Sequence, residues 1–81
     1  MNIKLFGVTR DIVGNSHLSV PTKENIATVG ELKTWLYKQY PAIGQLNSLA
    51  IAVDHAYAED HAALGAGQEV ALIHPLVVDN S

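Results

Sequence analysis

Two histidines and two carboxylates stand close together in the sequence and are the first candidates for chemistry. His55 precedes Glu59 and Asp60, and His61 follows them directly. Imidazole and carboxylate groups bind zinc, but zinc sites use recurring ligand spacings that this segment does not match. We therefore interpret these side chains as part of a solvated loop and expect neither a metal nor another cofactor.

Nucleophilic catalysis has no candidate of recognisable pattern. The chain contains no cysteine, which removes disulfides, thiolate metal sites and a cysteine nucleophile. Its serines lie outside any nucleophile-elbow motif. Gly65-Ala66-Gly67 precedes a predicted strand, whereas a phosphate-binding loop opens a helix. We expect no stand-alone enzymatic activity.

Composition and charge exclude several classes of partner. The chain has 81 residues, is 48% hydrophobic and carries a net charge of −3, which suits one domain with one core. Its basic residues do not cluster, so it lacks the basic stripe that binds nucleic acid or an anionic membrane. No signal-peptide pattern and no run of roughly 18 apolar residues is present. We expect a cytoplasmic protein that binds neither nucleic acid nor membrane.

A helix from about Val29 to Gln39 is the strongest structural signal. Thr28 and Glu31 have the spacing of a capping box at its start. Tyr40-Pro41 ends it, because the residue before a proline disfavours helix. The apolar residues at helical spacing are Val29, Leu32, Trp35 and Leu36. We predict that this stripe, Trp35 included, faces the core.

Five segments have the pattern of strands. They are residues 2–8, 17–20, 49–53, a short edge strand around Tyr57, and 69–74, with a helical turn at 9–14. Alternating apolar residues give the strands one buried face, and that face and the helix stripe bury each other in a two-layer α+β domain. We predict a ubiquitin-like β-grasp fold over residues 1–75, with the first and last strands adjacent at the centre of a mixed sheet of four to five strands and a main helix across one face. A C-terminal tail, 76–81, follows.

Short segments in a fixed order carry a resemblance that none of them carries alone. They are Ile3-Lys4-Leu5-Phe6, Arg10-Asp11-Ile12-Val13-Gly14, Thr28-Val29-Gly30-Glu31-Leu32, Tyr40-Pro41, residues 49–54, and residues 67–73 followed by Pro75. In this order and spacing they resemble the small subunit of molybdopterin synthase. That subunit is one of the MoaD/ThiS-type ubiquitin-like sulfur carriers, which include the thiamin sulfur carrier.

The resemblance implies a mechanism in which a C-terminal carboxylate carries sulfur. In the family, a ubiquitin-activating-type adenylating enzyme activates a Gly-Gly carboxylate with ATP, and a sulfur donor converts it to a thiocarboxylate. The tail then enters the large subunit of molybdopterin synthase and gives its sulfur to the precursor of the molybdenum cofactor. The resemblance therefore implies these two partners and the role of a non-catalytic subunit of a sulfurtransferase.

The tail departs from the family pattern where that chemistry would take place. Val78 and Asp79 stand where the family glycines would fall, and residues 74–81 contain no glycine. Glycine gives the tail backbone angles closed to residues with a Cβ, whereas a β-branched valine stiffens it. The alternative to a sulfur carrier is therefore a β-grasp interaction module that has kept a partner surface and lost the thiocarboxylate chemistry.

An apolar partner-binding surface is predicted on the sheet face that points away from the helix. Phe6 is out of phase with the buried residues of the first strand, and Ile73 with those of the last strand. With Tyr57, Pro75 and Leu76 they match positions where the family presents apolar groups to its large subunit. Exposed apolar patches mark binding sites. Two other uses of this face stay open: a simple cover for the sheet, and a contact between two copies of the chain.

Overall fold

The chain forms a five-stranded mixed sheet with helices packed on one face. The computed structural model describes residues 1–46, 49–65 and 67–74. Its elements are β1 (Asn2–Leu5), α1 (Val8–Val13), β2 (His17–Ser19), a 3-10 turn (Thr22–Glu24), α2 (Val29–Gln39), α3 (Pro41–Gly44), β3 (Ala50–Val53), β4 (Ala56–Ala58) and β5 (Val70–Ile73). The predicted tail lies outside the described residues, and so do Pro75, Leu76, Val78 and Asp79. The boundary between domain and tail at residue 75 stays a prediction.

The sheet has the strand order β2-β1-β5-β3-β4. β1 runs parallel to β5 and antiparallel to β2, and β3 runs antiparallel to both β5 and β4. The first and last strands are therefore neighbours inside the sheet, as the sequence predicts. This is the ubiquitin-like β-grasp arrangement, and the predicted α+β class is confirmed.

One core joins the inward face of the sheet to the helices. It follows from the period-two alternation of the strands and from the apolar stripe of α2, because each presents one face to the other. Its buried side chains are Ile3, Leu5, Val20, Val29, Leu32, Leu36, Ile43, Ile51, Val70 and Leu72. The outward residues of the same strands form the opposite face of the sheet, which we call the open face.

Helix α2 has the bounds that its end signals predict. The Thr28 side chain accepts a hydrogen bond from the Glu31 N–H at 3.2 Å, which satisfies one of the unpaired donors at the helix start. The Tyr40 N–H donates to the Leu36 carbonyl at 2.8 Å, and α3 begins at the next residue, Pro41. Trp35 is half-buried and packs against the core cluster, so its predicted place on the core face holds in part.

Two segments differ from the expectation. β1 ends at Leu5 because Gly7 has a φ of 60° and α1 begins at Val8, so the strand is shorter than predicted and the helical turn starts one residue earlier. The sequence predicts a connection over residues 41–48, with a weak turn that begins around Ile43, whereas the structure forms α3 and buries Ile43 completely. In the described part of the chain, no helix is long and apolar enough to cross a bilayer.

Candidate functional site

The open face carries a shallow cavity of about 390 Å³. Strand register explains how it forms: Lys4 lies opposite Ala71, Ala71 opposite Ala52, and Ala52 opposite Tyr57. These four side chains make one row across the sheet. The residues that line the cavity are Lys4, Phe6, Ala52, His55, Tyr57, Glu69, Ala71 and Ile73.

Side-chain size gives the cavity its shape. The floor consists of Ala52 and Ala71 on the adjacent strands β3 and β5, and larger side chains surround it. Phe6 is 52% exposed and Tyr57 is 69% exposed, while Ile73 is half-buried. The structure thus brings together the three described residues of the predicted partner surface. Their role in binding stays a prediction.

Thr9 fixes the backbone of Phe6 at the edge of the cavity. Its side chain is completely buried. The hydroxyl donates to the Phe6 carbonyl at 2.7 Å and accepts from the Phe6 N–H at 3.3 Å. These bonds join the end of β1 to the start of α1, so Phe6 leaves the strand in a defined direction. The sequence pattern gave no signal for this role, because a threonine in a turn is ordinarily exposed.

The opposite end of the cavity is polar. The Lys4 ammonium donates to Glu69 Oε1, and His55 Nε2 lies 2.8 Å from Glu69 Oε2. The hydrogen bond and the charge of Lys4 hold the pKa of Glu69 below its usual value; desolvation opposes this shift, and the charge of His55 adds to it. We call these three residues the Lys4–Glu69–His55 cluster. In the sequence His55 is grouped with Glu59 and Asp60, whereas the fold brings it into contact with Glu69.

A tight turn between β3 and β4 places His55 on the rim. Asp54 has a φ of 51° and His55 a φ of 71°, which is the pattern of a two-residue type I′ hairpin turn. Two hydrogen bonds connect Asp54 in this turn to the backbone of Glu69. The Asp54 N–H donates to the Glu69 carbonyl at 2.8 Å, and the Glu69 N–H donates to Asp54 Oδ1 at 2.9 Å. These bonds therefore hold the backbone of His55 in place at the cavity edge.

The other charged residues of the β4–β5 connection form separate pairs. His61 Nε2 lies 3.2 Å from Glu59 Oε2, and the Lys33 ammonium donates to Asp60 Oδ1 at 2.7 Å. Within residues 1–46, 49–65 and 67–74, no group of three or more His, Cys, Asp or Glu side chains could hold a metal ion. The open-face cavity thus combines an apolar floor with one charged rim, an arrangement suited to binding a protein surface.

Comparison with known proteins agrees with this geometry. A model of the ThiS family matches residues 3–77. The chain belongs to the ThiS family. It is therefore a MoaD/ThiS-type ubiquitin-like protein, as its segments predict. A search of curated proteins gives no significant match.

Two solved structures show the same fold as this ThiS-family chain. SAMP1 from Haloferax volcanii is 23% identical, with a TM-score of 0.74, and the match covers 96% of this chain and 97% of that one. A Pyrococcus furiosus protein assigned as molybdopterin converting factor, subunit 1, is 20% identical, with a TM-score of 0.72, and the match covers 93% and 95% of the two chains. At these identities the likeness establishes the β-grasp fold, and a fold alone does not decide between the roles of its members.

Proposed function

We propose that this ThiS-family chain is a MoaD-like, sulfur-carrier-type small subunit that acts in the cytoplasm with the large subunit of molybdopterin synthase in molybdenum cofactor biosynthesis. The observation that carries the proposal is the open-face cavity, where Phe6, Tyr57 and Ile73 meet. The family match and the Pyrococcus furiosus structure support it.

Docking through this face has a clear energetic source. Burying a large apolar side chain contributes about 1.5–3 kcal/mol, and aromatic residues are frequent anchors of protein interfaces. Phe6 and Tyr57 are both largely exposed, so a partner that covers them removes apolar surface from water. The alanine floor leaves room between them for a partner side chain.

The test is binding of the large subunit from the same host, measured by isothermal titration calorimetry. Ile73→Asp places a charge in the apolar part of the interface, and we expect its affinity to fall at least about 30-fold, the equivalent of about 2 kcal/mol at an interface anchor. Thr34→Asp adds the same charge on the exposed side of α2 and should bind like the wild type. Equal affinity of Ile73→Asp and wild type would show that the docking face is assigned wrongly.

Two copies of the chain are the alternative occupants of this face. Sedimentation of the wild type without the large subunit distinguishes the two cases. A monomer that binds the large subunit supports the proposal. A dimer that Ile73→Asp dissociates, together with no binding of the large subunit, would assign the face to self-association.

A second candidate function rests on Val78 and Asp79, which replace the family glycines in the sequence. It is a β-grasp interaction module that docks on the same partners but carries no sulfur. We expect that the host's adenylating enzyme and ATP form no acyl-adenylate with this chain. The matched control is Val78→Gly with Asp79→Gly and residues 80–81 removed, which should gain pyrophosphate release. Pyrophosphate release with the unmodified chain, dependent on Ser81, would favour the sulfur carrier.

A further inference from the structure

The polar end of the cavity offers hydrogen-bond donors more than acceptors. One oxygen of Glu69 already accepts from Lys4, and the other faces His55 Nε2 at 2.8 Å. The Lys4 ammonium has three N–H groups, and Glu69 is the one side-chain acceptor it contacts among the described residues. The His55 side chain is 85% exposed, so Nδ1 is open to solvent. With Nε2–H directed at Glu69, Nδ1 accepts hydrogen bonds in the neutral imidazole and donates when the ring is protonated. A partner group that meets this rim therefore finds the remaining N–H groups of Lys4, and that of His55 once it is protonated, so the complementary group is an acceptor.

The charge of the cavity also differs from that of the rest of the chain. Glu69 is the one carboxylate among the residues that line it, and Lys4 balances that charge. The net charge of −3 therefore lies elsewhere on the chain. His17 lies opposite Lys4 on β2 and adds a second histidine to this face. An acidic group on a partner is thus repelled by the chain as a whole and tolerated at this rim.

The turn places His55 at a backbone position where residues with a side chain are uncommon. A type I′ turn prefers glycine at its second central position, because φ is positive there. His55 occupies that position at a φ of 71°, in a region that a side chain disfavours. The geometry of the turn alone would favour glycine or asparagine. What the imidazole adds is its contact with Glu69 and a charge that depends on pH.

We propose that the Lys4–Glu69–His55 cluster is a docking subsite for an acidic side chain of the partner protein, beside an apolar partner residue that enters the cavity over Ala52 and Ala71. This inference rests on the proposed function, because both use the open face. Protonation of His55 changes the cluster from neutral to singly positive, so it strengthens the contact with a carboxylate. The groups that face His55 are Glu69, Lys4 and Tyr57 in the cavity, with Asp54 beside it in the turn.

The test compares binding of the host's large subunit at about pH 8 and at about pH 6, because histidine is the side chain whose charge ordinarily changes between such values. We expect wild-type affinity to rise about threefold on acidification, the size of one partly exposed ion pair. His55→Asn keeps a residue that tolerates positive φ and should lose this part of the pH dependence. His61→Asn is the matched control, because His61 is an exposed histidine that pairs with Glu59, and it should keep the wild-type pH profile.

A second variant tests the charge without relying on titration. Lys4→Met removes the ammonium and should weaken binding about threefold at both pH values, while circular dichroism confirms that it folds.

Identical pH profiles for wild type and His55→Asn, with unchanged binding of Lys4→Met, would overturn the subsite. If Ile73→Asp still abolished binding in that case, docking through the open face would stand. Tighter binding at high pH that depends on His55 would also overturn it, since the partner group would then be basic. Absence of any binding to the large subunit would remove the proposed function and this inference together.

Discussion

Replacing Thr9 with valine tests whether a buried hydroxyl holds Phe6 in place. Thr9 is the one buried polar side chain among the described residues. Its hydroxyl bonds both backbone groups of Phe6, at 2.7 and 3.3 Å, and lies 3.5 Å from the Leu72 carbonyl. Valine has nearly the same shape and lacks the hydroxyl. The variant therefore removes these bonds without opening a cavity.

The expected cost follows from the groups that lose a partner. An unpaired buried polar group costs about 1–3 kcal/mol. Because Phe6 is 52% exposed, water can reach part of its surroundings, so we expect a loss in the lower half of that range, about 1.5 kcal/mol. For a domain of this size, 1 kcal/mol corresponds to about 4–8 °C in melting temperature. Thr9→Val should therefore melt about 6–12 °C below the wild type.

Thermal and urea unfolding followed by circular dichroism give the stability, and hydrogen exchange of the Phe6 amide gives the local effect. Thr9→Ser is the matched control. It keeps the hydroxyl and loses one methyl group, so it should be destabilised by about 1 kcal/mol with slow exchange at Phe6. Thr9→Val should exchange faster there. A valine variant as stable as the wild type, with unchanged exchange at Phe6, would refute this account of the contact.

Two further predictions concern the ion pair on the open face and the core. The Lys4 contact lowers the pKa of Glu69, so it contributes stability above the ordinary glutamate pKa of about 4.3 that is lost as the pH falls through the lowered pKa. Thermal scans below about pH 5 should therefore show a steeper drop in melting temperature for the wild type than for Glu69→Gln; parallel curves would exclude the pair as a source of stability. Leu36→Ala removes a completely buried side chain and should lower the free energy of unfolding by about 2–5 kcal/mol in urea denaturation, whereas a loss under about 1 kcal/mol would mean that the core repacks around this position.

Local signals made part of this structure predictable from the sequence. The ends of α2 follow from Thr28, which caps the first turn, and from Pro41, which comes directly after the C-cap residue Tyr40. The outward direction of Ile73 follows from the period of two in β5, because Leu72, the residue before it, is buried. These features depend on residues within a few positions of each other, so no knowledge of the tertiary fold is required.

The polar part of the site depends on contacts that the sequence does not encode locally. Lys4 and Glu69 are 65 positions apart, and they meet only because β1 and β5 pair in parallel with one particular register. His55 reaches Glu69 because the two turn residues before β4, Asp54 and His55, both have positive φ. The dipeptide Asp-His is not a recognised sequence signal for this conformation. Thr9 becomes a core residue only when α1 packs against the end of β1. Tertiary packing decides each of these three cases.

The open face is the strongest physical reason to expect a partner, and the residues that carry this argument lie in the described part of the chain. A sheet with one face against the core ordinarily has polar residues on its solvent face. Here the outward positions of the described strands and of the residue after β1 include Phe6, Ala52, Tyr57, Ala71 and Ile73. This departure from alternation leaves Phe6 and Tyr57 exposed to water, and such departures are expected at functional sites. Docking through Phe6, Tyr57 and Ile73 can therefore be tested with variants of described residues alone, apart from the chemistry proposed at Val78 and Asp79.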